Sequence, residues 1–186
     1  MRLAALKAMK RISLIGTLIL LALVQPATAG TLNAIINGKS YHVDASRDWN
    51  ESNYGLGLEY QFESSSRWRT SAMANGFRDS NDHMSYMAGG SLHRRLFESA
   101  RAGGLYLDVG VTAFVMTRED VNGNRPFPGV LPSLALGNRH LGLNLAYLPE
   151  AGVRQFTGAT FEDPTIKGVV YLQLKVNIDS LRWGAN

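Results

Sequence analysis

The chain has 186 residues, no cysteine and a formal charge of +4, and 45% of its residues are hydrophobic. That length suits one domain, and the lack of cysteine excludes a disulfide scaffold, a thiolate metal site and a cysteine nucleophile. The first 29 residues hold four of the 19 basic residues and none of the 15 acidic ones, so the remainder balances at 15 against 15. A neutral remainder with no lysine or arginine run excludes a phosphate backbone as partner, and no nucleic acid is expected.

In chain order, Arg2, Lys7, Lys10 and Arg11 precede an apolar run from Ile12 to Val24, and Ala27-Thr-Ala29 supplies a small-residue cleavage site. This reads as a secretory signal peptide over 1–29, with an apolar run too short for a transmembrane helix. A single domain over 30–186 follows.

Alternation with period two then dominates. Thr31 to Asp44 reads as a first strand with a kink at Asn37–Gly38. From Asn53 to Phe62, Tyr54, Leu56, Leu58, Tyr60 and Phe62 share one face. Trp68 to Arg78 follows a polar Glu63-Ser-Ser-Ser turn, and Met84 to Leu96 is a fourth strand. From Gly104 to Met116, Leu105, Leu107, Val109, Val111, Ala113 and Val115 alternate with Tyr106, Asp108, Gly110, Thr112 and Phe114. Phe127 to Leu136 carries prolines, Leu141 to Tyr147 alternates leucine with small residues, and Ile166 to Ile178 alternates apolar residues with Lys167, Gln173, Lys175 and Asn177. Period two over ten or more residues means long strands with one apolar and one mixed face.

Strands of about ten residues suit a tilted bilayer crossing. A soluble sandwich prefers shorter strands with the apolar face inward, whereas here the polar-or-glycine face suits a lumen. Closure pairs every backbone group internally, as hydrocarbon requires. The expected fold is therefore all-β: an eight-stranded antiparallel up-and-down β-barrel of outer-membrane type, with a soluble lipocalin-like barrel as alternative. Tyr54, Tyr60, Tyr106, Tyr147, Trp68 and Trp183 are expected at interfacial girdles. Gly76, Ala88, Gly89, Gly90 and Ser91 could leave room inside the barrel. His83, His93 and His140 read as surface or interface residues with no metal spacing, Arg94–Arg95 is expected at a periplasmic turn, and no cofactor is implied.

The residues that could do chemistry sit at strand ends: His42 and the adjacent Asp79–Ser80. Histidine is a natural general base, a carboxylate can orient it, and a serine hydroxyl can attack or position an acyl carbonyl. A loop Asp-Ser is also a common turn-former. Pro126, Pro128 and Pro132 each lack the donor that a continuous ladder uses, which leaves either a proline-rich loop with an edge strand or a weak seam in a barrel wall.

Five segments, in order, carry a resemblance. Ala72-M-A-N-G-F-R-D-Ser80 resembles the A-M-A-F-K-D-S stretch of the lipid A palmitoyltransferase (PagP) family. Trp49-N-E-S-N-Y-G-L-G-Leu58 resembles its Y-N-E-x-x-W-G-x-G segment, and Thr112-A-F-V-M-T-Arg118 its T-A-G-V-T-A-R run. Pro126-F-P-G-V-L-Pro132 has its P-x-P-x-x-x-P spacing, and Ala146-Y-L-Pro149 is similar to its T-Y-I-P. Ser40-Tyr41-His42 matches the T-W-H that carries the family's histidine.

The resemblance implies an outer-membrane acyltransferase that moves palmitate or a similar chain from a glycerophospholipid donor to a lipid A acceptor, embedded in the membrane as a monomer. It implies catalytic roles for His42, Asp79 and Ser80, with Asp79 holding the imidazole and Ser80 acting as nucleophile or hydrogen-bonding group. It makes the seam at Pro126, Pro128 and Pro132 a lateral gate for lipid tails and lets Arg118 pair with lipid phosphates. It places Ser91 where a family glycine sets chain length, so an acyl chain shorter than palmitate is expected. The chain departs from the pattern in a shorter first outer loop and in the lack of a helix before the first strand. Asn53 stands where the family segment has proline, so the second lateral opening is expected to be missing or moved. The alternatives from other classes are a non-catalytic structural or adhesive barrel and a soluble periplasmic lipid carrier.

Overall fold

The computed structural model describes residues 30–46, 48–157 and 166–180, so the expected signal peptide and Trp183 lie outside the described residues. The described residues form strands β1 (Thr31–Val43), β2 (Ser52–Gln61), β3 (Trp68–Arg78), β4 (Met84–Ser99), β5 (Leu105–Thr117), β6 (Phe127–Gly137), β7 (Leu141–Pro149) and β8 (Gly168–Asn177). A helix, α1 (Glu150–Thr157), lies between β7 and β8. Neighbours in sequence pair antiparallel and β1 pairs with β8, so the sheet closes on itself with no free edge. This is the eight-stranded antiparallel barrel that the alternation predicts.

The boundaries follow local chemistry. The kink expected at Asn37–Gly38 is a bulge between Asn37 and Lys39 that shifts the register of β1 against both β2 and β8. β4 runs three residues beyond its expected end, to Ser99. Gly103 and Gly104, with φ of +66° and +79°, then supply the left-handed backbone that turns the chain into β5.

Side chains sort by parity. Leu56 is 72% exposed and Val130 61% exposed on the outer wall, while Asn37, Glu59, Ser85 and Asp108 are buried in the lumen. An apolar exterior around a polar interior inverts a water-soluble barrel and is the pattern of an outer-membrane barrel. Tyr54, Trp68 and Tyr147 point outward as the girdle expectation requires. Tyr106 does not: its ring lies inside, 4.6 Å from the Arg95 guanidinium. His93 is likewise not a surface residue but a buried lumen residue whose Nε2 lies 2.8 Å from Ser133 Oγ. Of the small residues expected to make room, Ser91 lines the interior. Ala88 shares the outward parity of Tyr86 and Leu92, because one step along a strand reverses the face.

The lower half of the lumen is filled by ion pairs. Lys175 Nζ meets Glu59 Oε1 at 2.9 Å, with both side chains under 10% exposed. Arg95 grips Asp108 through two nitrogens at 2.8 and 3.0 Å and reaches Glu98 at 3.1 Å. Arg95 therefore faces the lumen rather than a turn. Above this plug the lumen opens into a cavity walled by Met73, Phe77, Met87, Phe114 and Leu131, which leads up to Asp79, Ser80 and Arg118 at the upper rim.

Candidate active site

The upper rim gathers residues from three connections. β3 passes into β4 through a tight turn over 79–83, and Asp79 builds that turn. Its Oδ1 accepts the backbone N–H groups of Asn81 (2.9 Å) and His83 (3.1 Å), and its Oδ2 accepts Ser85 Oγ–H at 2.9 Å. A carboxylate folding back onto following backbone donors is the local reason aspartate favours such turns. Asp79 is 2% exposed, and its charge is met by Arg118 Nε at 3.6 Å.

The turn presents Ser80 downward and inward, where its Oγ lies 2.9 Å from His42 Nε2. The Ser80 carbonyl accepts Asn50 N–H at 3.0 Å, and Asn50 Nδ2 donates to the Asp79 carbonyl at 3.1 Å. The β1–β2 connection thus clamps the turn that carries the serine. His42 approaches from the end of β1, with Trp49 stacked on its ring at 5.4 Å and an interplanar angle of 13°.

Of the three residues singled out in the sequence, the structure brings His42 and Ser80 into direct contact. Asp79 does not hold the imidazole as the resemblance implied. Its oxygens are committed to its own turn, to Ser85 and to Arg118. The carboxylate beside His42 is Glu51: its Oε1 accepts the His42 backbone N–H at 3.0 Å and lies 3.5 Å from Nδ1. That backbone donor, before any other cause, holds the Glu51 carboxyl below the ordinary carboxylate range. Glu51 lies inside the Trp49-N-E-S segment, but neither its spacing nor its type marks it, because the contact forms only when β1 and β2 close together.

Arg118 stands at the end of β5 and lines the cavity mouth, bound to Asp120 through two nitrogens at 3.1 Å as well as facing Asp79. Asn81 Nδ2 also reaches Asp120 at 2.6 Å, tying the two loops together. Ligand atoms of Asp79, His83 and Asp120 come within 4.8 Å of one another and could approach a cation. Arg118 already supplies positive charge to both carboxylates there. Ser91 lies deeper, its hydroxyl 2.7 Å from Ser71 Oγ on the cavity lining.

The wall beside the cavity is uneven. The β5–β6 ladder continues up to Met116↔Phe127, whereas the β6–β7 ladder stops at Ser133↔Ala146. Pro128 and Pro132 share one parity on β6, so the donors they lack fall on one side of the strand, and it is the ladder to β7 that ends. Pro126 lies just before β6. The β1–β2 edge is closed instead, since Lys39↔Ser52 is followed by Ser40 N–H to the Glu51 carbonyl at 3.0 Å. Asn53 adds an Nδ2–H bond to the Arg78 carbonyl at 2.9 Å, fastening β2 to β3 where the family pattern has proline.

Fold and site together define a class: a small barrel with a lipid-type exterior, an apolar cavity within and an imidazole–hydroxyl pair at the cavity mouth. The model of one family, "Antimicrobial peptide resistance and lipid A acylation protein PagP", matches residues 31–157. The chain belongs to the PagP family. Among similar proteins, "Lipid A acyltransferase PagP" of Methylobacillus flagellatus is 30% identical over 111 residues, 59% of this chain and 58% of that one. The protein of the same description from Bordetella pertussis is 30% identical over 116 residues, 61% of this chain and 60% of that one. That of Laribacter hongkongensis is 34% identical over 116 residues, 61% and 53%. The chain therefore spans little more than half the length of these relatives.

Proposed function

We propose that this protein is an outer-membrane acyltransferase that moves a fatty acyl chain from a glycerophospholipid to lipid A. The observation that carries the reading is the His42 Nε2–Ser80 Oγ contact of 2.9 Å at the mouth of an apolar cavity. Family membership and the description borne by the relatives support the substrates.

In this reading the donor's acyl tail enters through the seam above Ser133↔Ala146, where Pro126, Pro128 and Pro132 leave β6 weakly bonded to β7. The tail lies down the cavity, with its end toward Ser91, and its ester stands at the rim. Arg118 pairs with a lipid phosphate there. The hydroxyl within reach of the base is that of Ser80, so the acyl group passes through Ser80 Oγ. His42 Nε2 takes the Ser80 proton as Oγ attacks the ester carbonyl. The tetrahedral intermediate collapses to acyl-Ser80, and the imidazolium returns the proton to the departing lysophospholipid oxygen. A lipid A hydroxyl then gives its proton to His42 and attacks acyl-Ser80, which restores both groups. Asp79 acts on this chemistry by holding the turn that presents Ser80.

Lipid A from cells with and without the gene, compared by mass spectrometry, tests the function: one added acyl mass is expected, and an unchanged mass with confirmed expression refutes it. His42→Ala and Ser80→Ala should each lose the added mass while keeping heat-modifiable gel migration. Incubation with phospholipid alone should yield a Ser80-acylated peptide. Ternary-complex kinetics without that peptide would assign the transferred proton to the acceptor hydroxyl and leave Ser80 as the group that orients the ring.

A further inference from the structure

The imidazole of His42 has one nitrogen accounted for and one not. If Nε2 receives the Ser80 hydroxyl proton, the ring's own proton sits on Nδ1. Among the described residues Nδ1 has no hydrogen-bond partner, and the side chain is only 3% exposed. A buried N–H without an acceptor is costly, so the tautomer that makes Nε2 a base needs an acceptor for Nδ1. Glu51 Oε1, 3.5 Å away and already fixed by the His42 backbone N–H, is placed to become that acceptor. Contacts of this kind are often long without substrate and shorten when it binds.

We propose that Glu51, rather than Asp79, is the positioning residue for His42: its carboxylate selects the Nδ1–H tautomer and balances the imidazolium formed during transfer. The proposal rests on the reading of His42 as the base. Every element packed on the ring is consistent with it. Trp49, from the same connection as Glu51, fixes the ring plane, leaving rotation within that plane to be set by hydrogen bonds. Ser80 and Asp79 come from the β3–β4 turn, and Asp79 faces Arg118 rather than the ring. Burial, before any other cause, acts against the imidazolium, Glu51 acts for it, and Arg118 acts against it more weakly. The partner of His42 across β8 is Val169, which carries no charge. Glu51 is therefore the group that favours the charged ring at this rim.

Glu51→Gln separates charge from shape, because an amide oxygen still accepts the His42 backbone N–H. Removing the anion disfavours imidazolium, so the ring is neutral to lower pH. The acid limb of the kcat profile should move down by about one pH unit, as expected for loss of a neighbouring opposite charge. At neutral pH kcat should fall roughly 10²-fold with KM for the phospholipid unchanged, and Glu51→Asp should recover part of the loss. Asp79→Asn should lower activity through the turn and leave the acid limb in place. Titration of ring-labelled histidine by nitrogen NMR in detergent reads the same shift at His42 without turnover. A His42 titration and acid limb identical in the wild type and Glu51→Gln overturn the proposal, as does a limb that moves in Asp79→Asn instead. If His42→Ala retains transfer, the base reading fails separately, while the NMR titration still decides whether Glu51 governs the ring.

Discussion

Under the proposed acyl transfer, shortening Ser91 to glycine should lengthen the chain transferred. Ser91 lies seven rungs below the Arg78↔Met84 rim on the β3–β4 ladder, paired with Ser71. At 3.3 Å per residue and a strand tilt near 40°, seven rungs descend about 18 Å. An extended hydrocarbon advances ~1.25 Å per carbon from 1.5 Å bonds at tetrahedral angles, so the depth suits about 14 carbons. Glycine removes two heavy atoms, room for about two methylenes, each worth about 1–3 kcal/mol of discrimination in a closed pocket. The variant should therefore accept a chain about two carbons longer, with its preference over the original length changed at least 10-fold. It also leaves Ser71 Oγ without its 2.7 Å partner, at a cost of about 1–3 kcal/mol in stability. The assay presents an equimolar set of phosphatidylcholines differing in one acyl chain and reads the product masses. An unchanged length distribution in a variant with normal heat-modifiable migration refutes Ser91 as the floor, and so does a shift toward shorter chains.

Three other outcomes follow from the same geometry. Pro132→Ala restores the donor that faces Tyr147 when the β6–β7 register is continued past Ser133↔Ala146. At about 1 kcal/mol it should slow transfer from vesicle phospholipid roughly 5-fold, while hydrolysis of a water-soluble short-chain ester, which needs no lateral entry, falls less; equal loss on both substrates argues against entry through the wall. Lys175→Met leaves Glu59 buried without its partner and should cost about 3–5 kcal/mol in urea unfolding, with Glu59→Leu added in the same chain recovering most of it. Because the Glu51 carboxyl is held below its ordinary value, its contribution to stability is complete above pH 4.5 and is lost as pH falls through the lower folded value. The fluorescence of Trp49, read with Trp68 and Trp183 replaced by phenylalanine, should change over that window and should not change in Glu51→Gln.

Much of the architecture is legible in the sequence because strand parity is a local property. A side chain's face depends only on its position modulo two, so the apolar stripes of β2, β5 and β8 already named the wall and the lumen. The prolines are legible only in part: a missing donor is missing in any fold, but a loop and a weak seam are told apart by the β6–β7 ladder, which stops at Ser133↔Ala146. What parity cannot supply is the partner across the barrel. Tyr106 suits an interfacial girdle by type, although its shared parity with Asp108 already turns it inward; only the structure supplies Arg95 as its partner. His93 looked like a surface histidine, and only closure set it beside Ser133.

The candidate site divides along the same line. His42, Asp79 and Ser80 stand out by residue type and by strand-end position, and an Asp-Ser turn is decided within five residues. Which carboxylate serves the imidazole depends on how β1, the β1–β2 connection and the β3–β4 turn meet at the rim, at distances of a few ångströms that chain order does not encode. There Asp79 spends its lone pairs on its own turn and Arg118, and Glu51 is left facing the ring. Hydrogen bonds saturate, so a group's availability is decided by all its neighbours at once, and only the closed barrel assembles those neighbours.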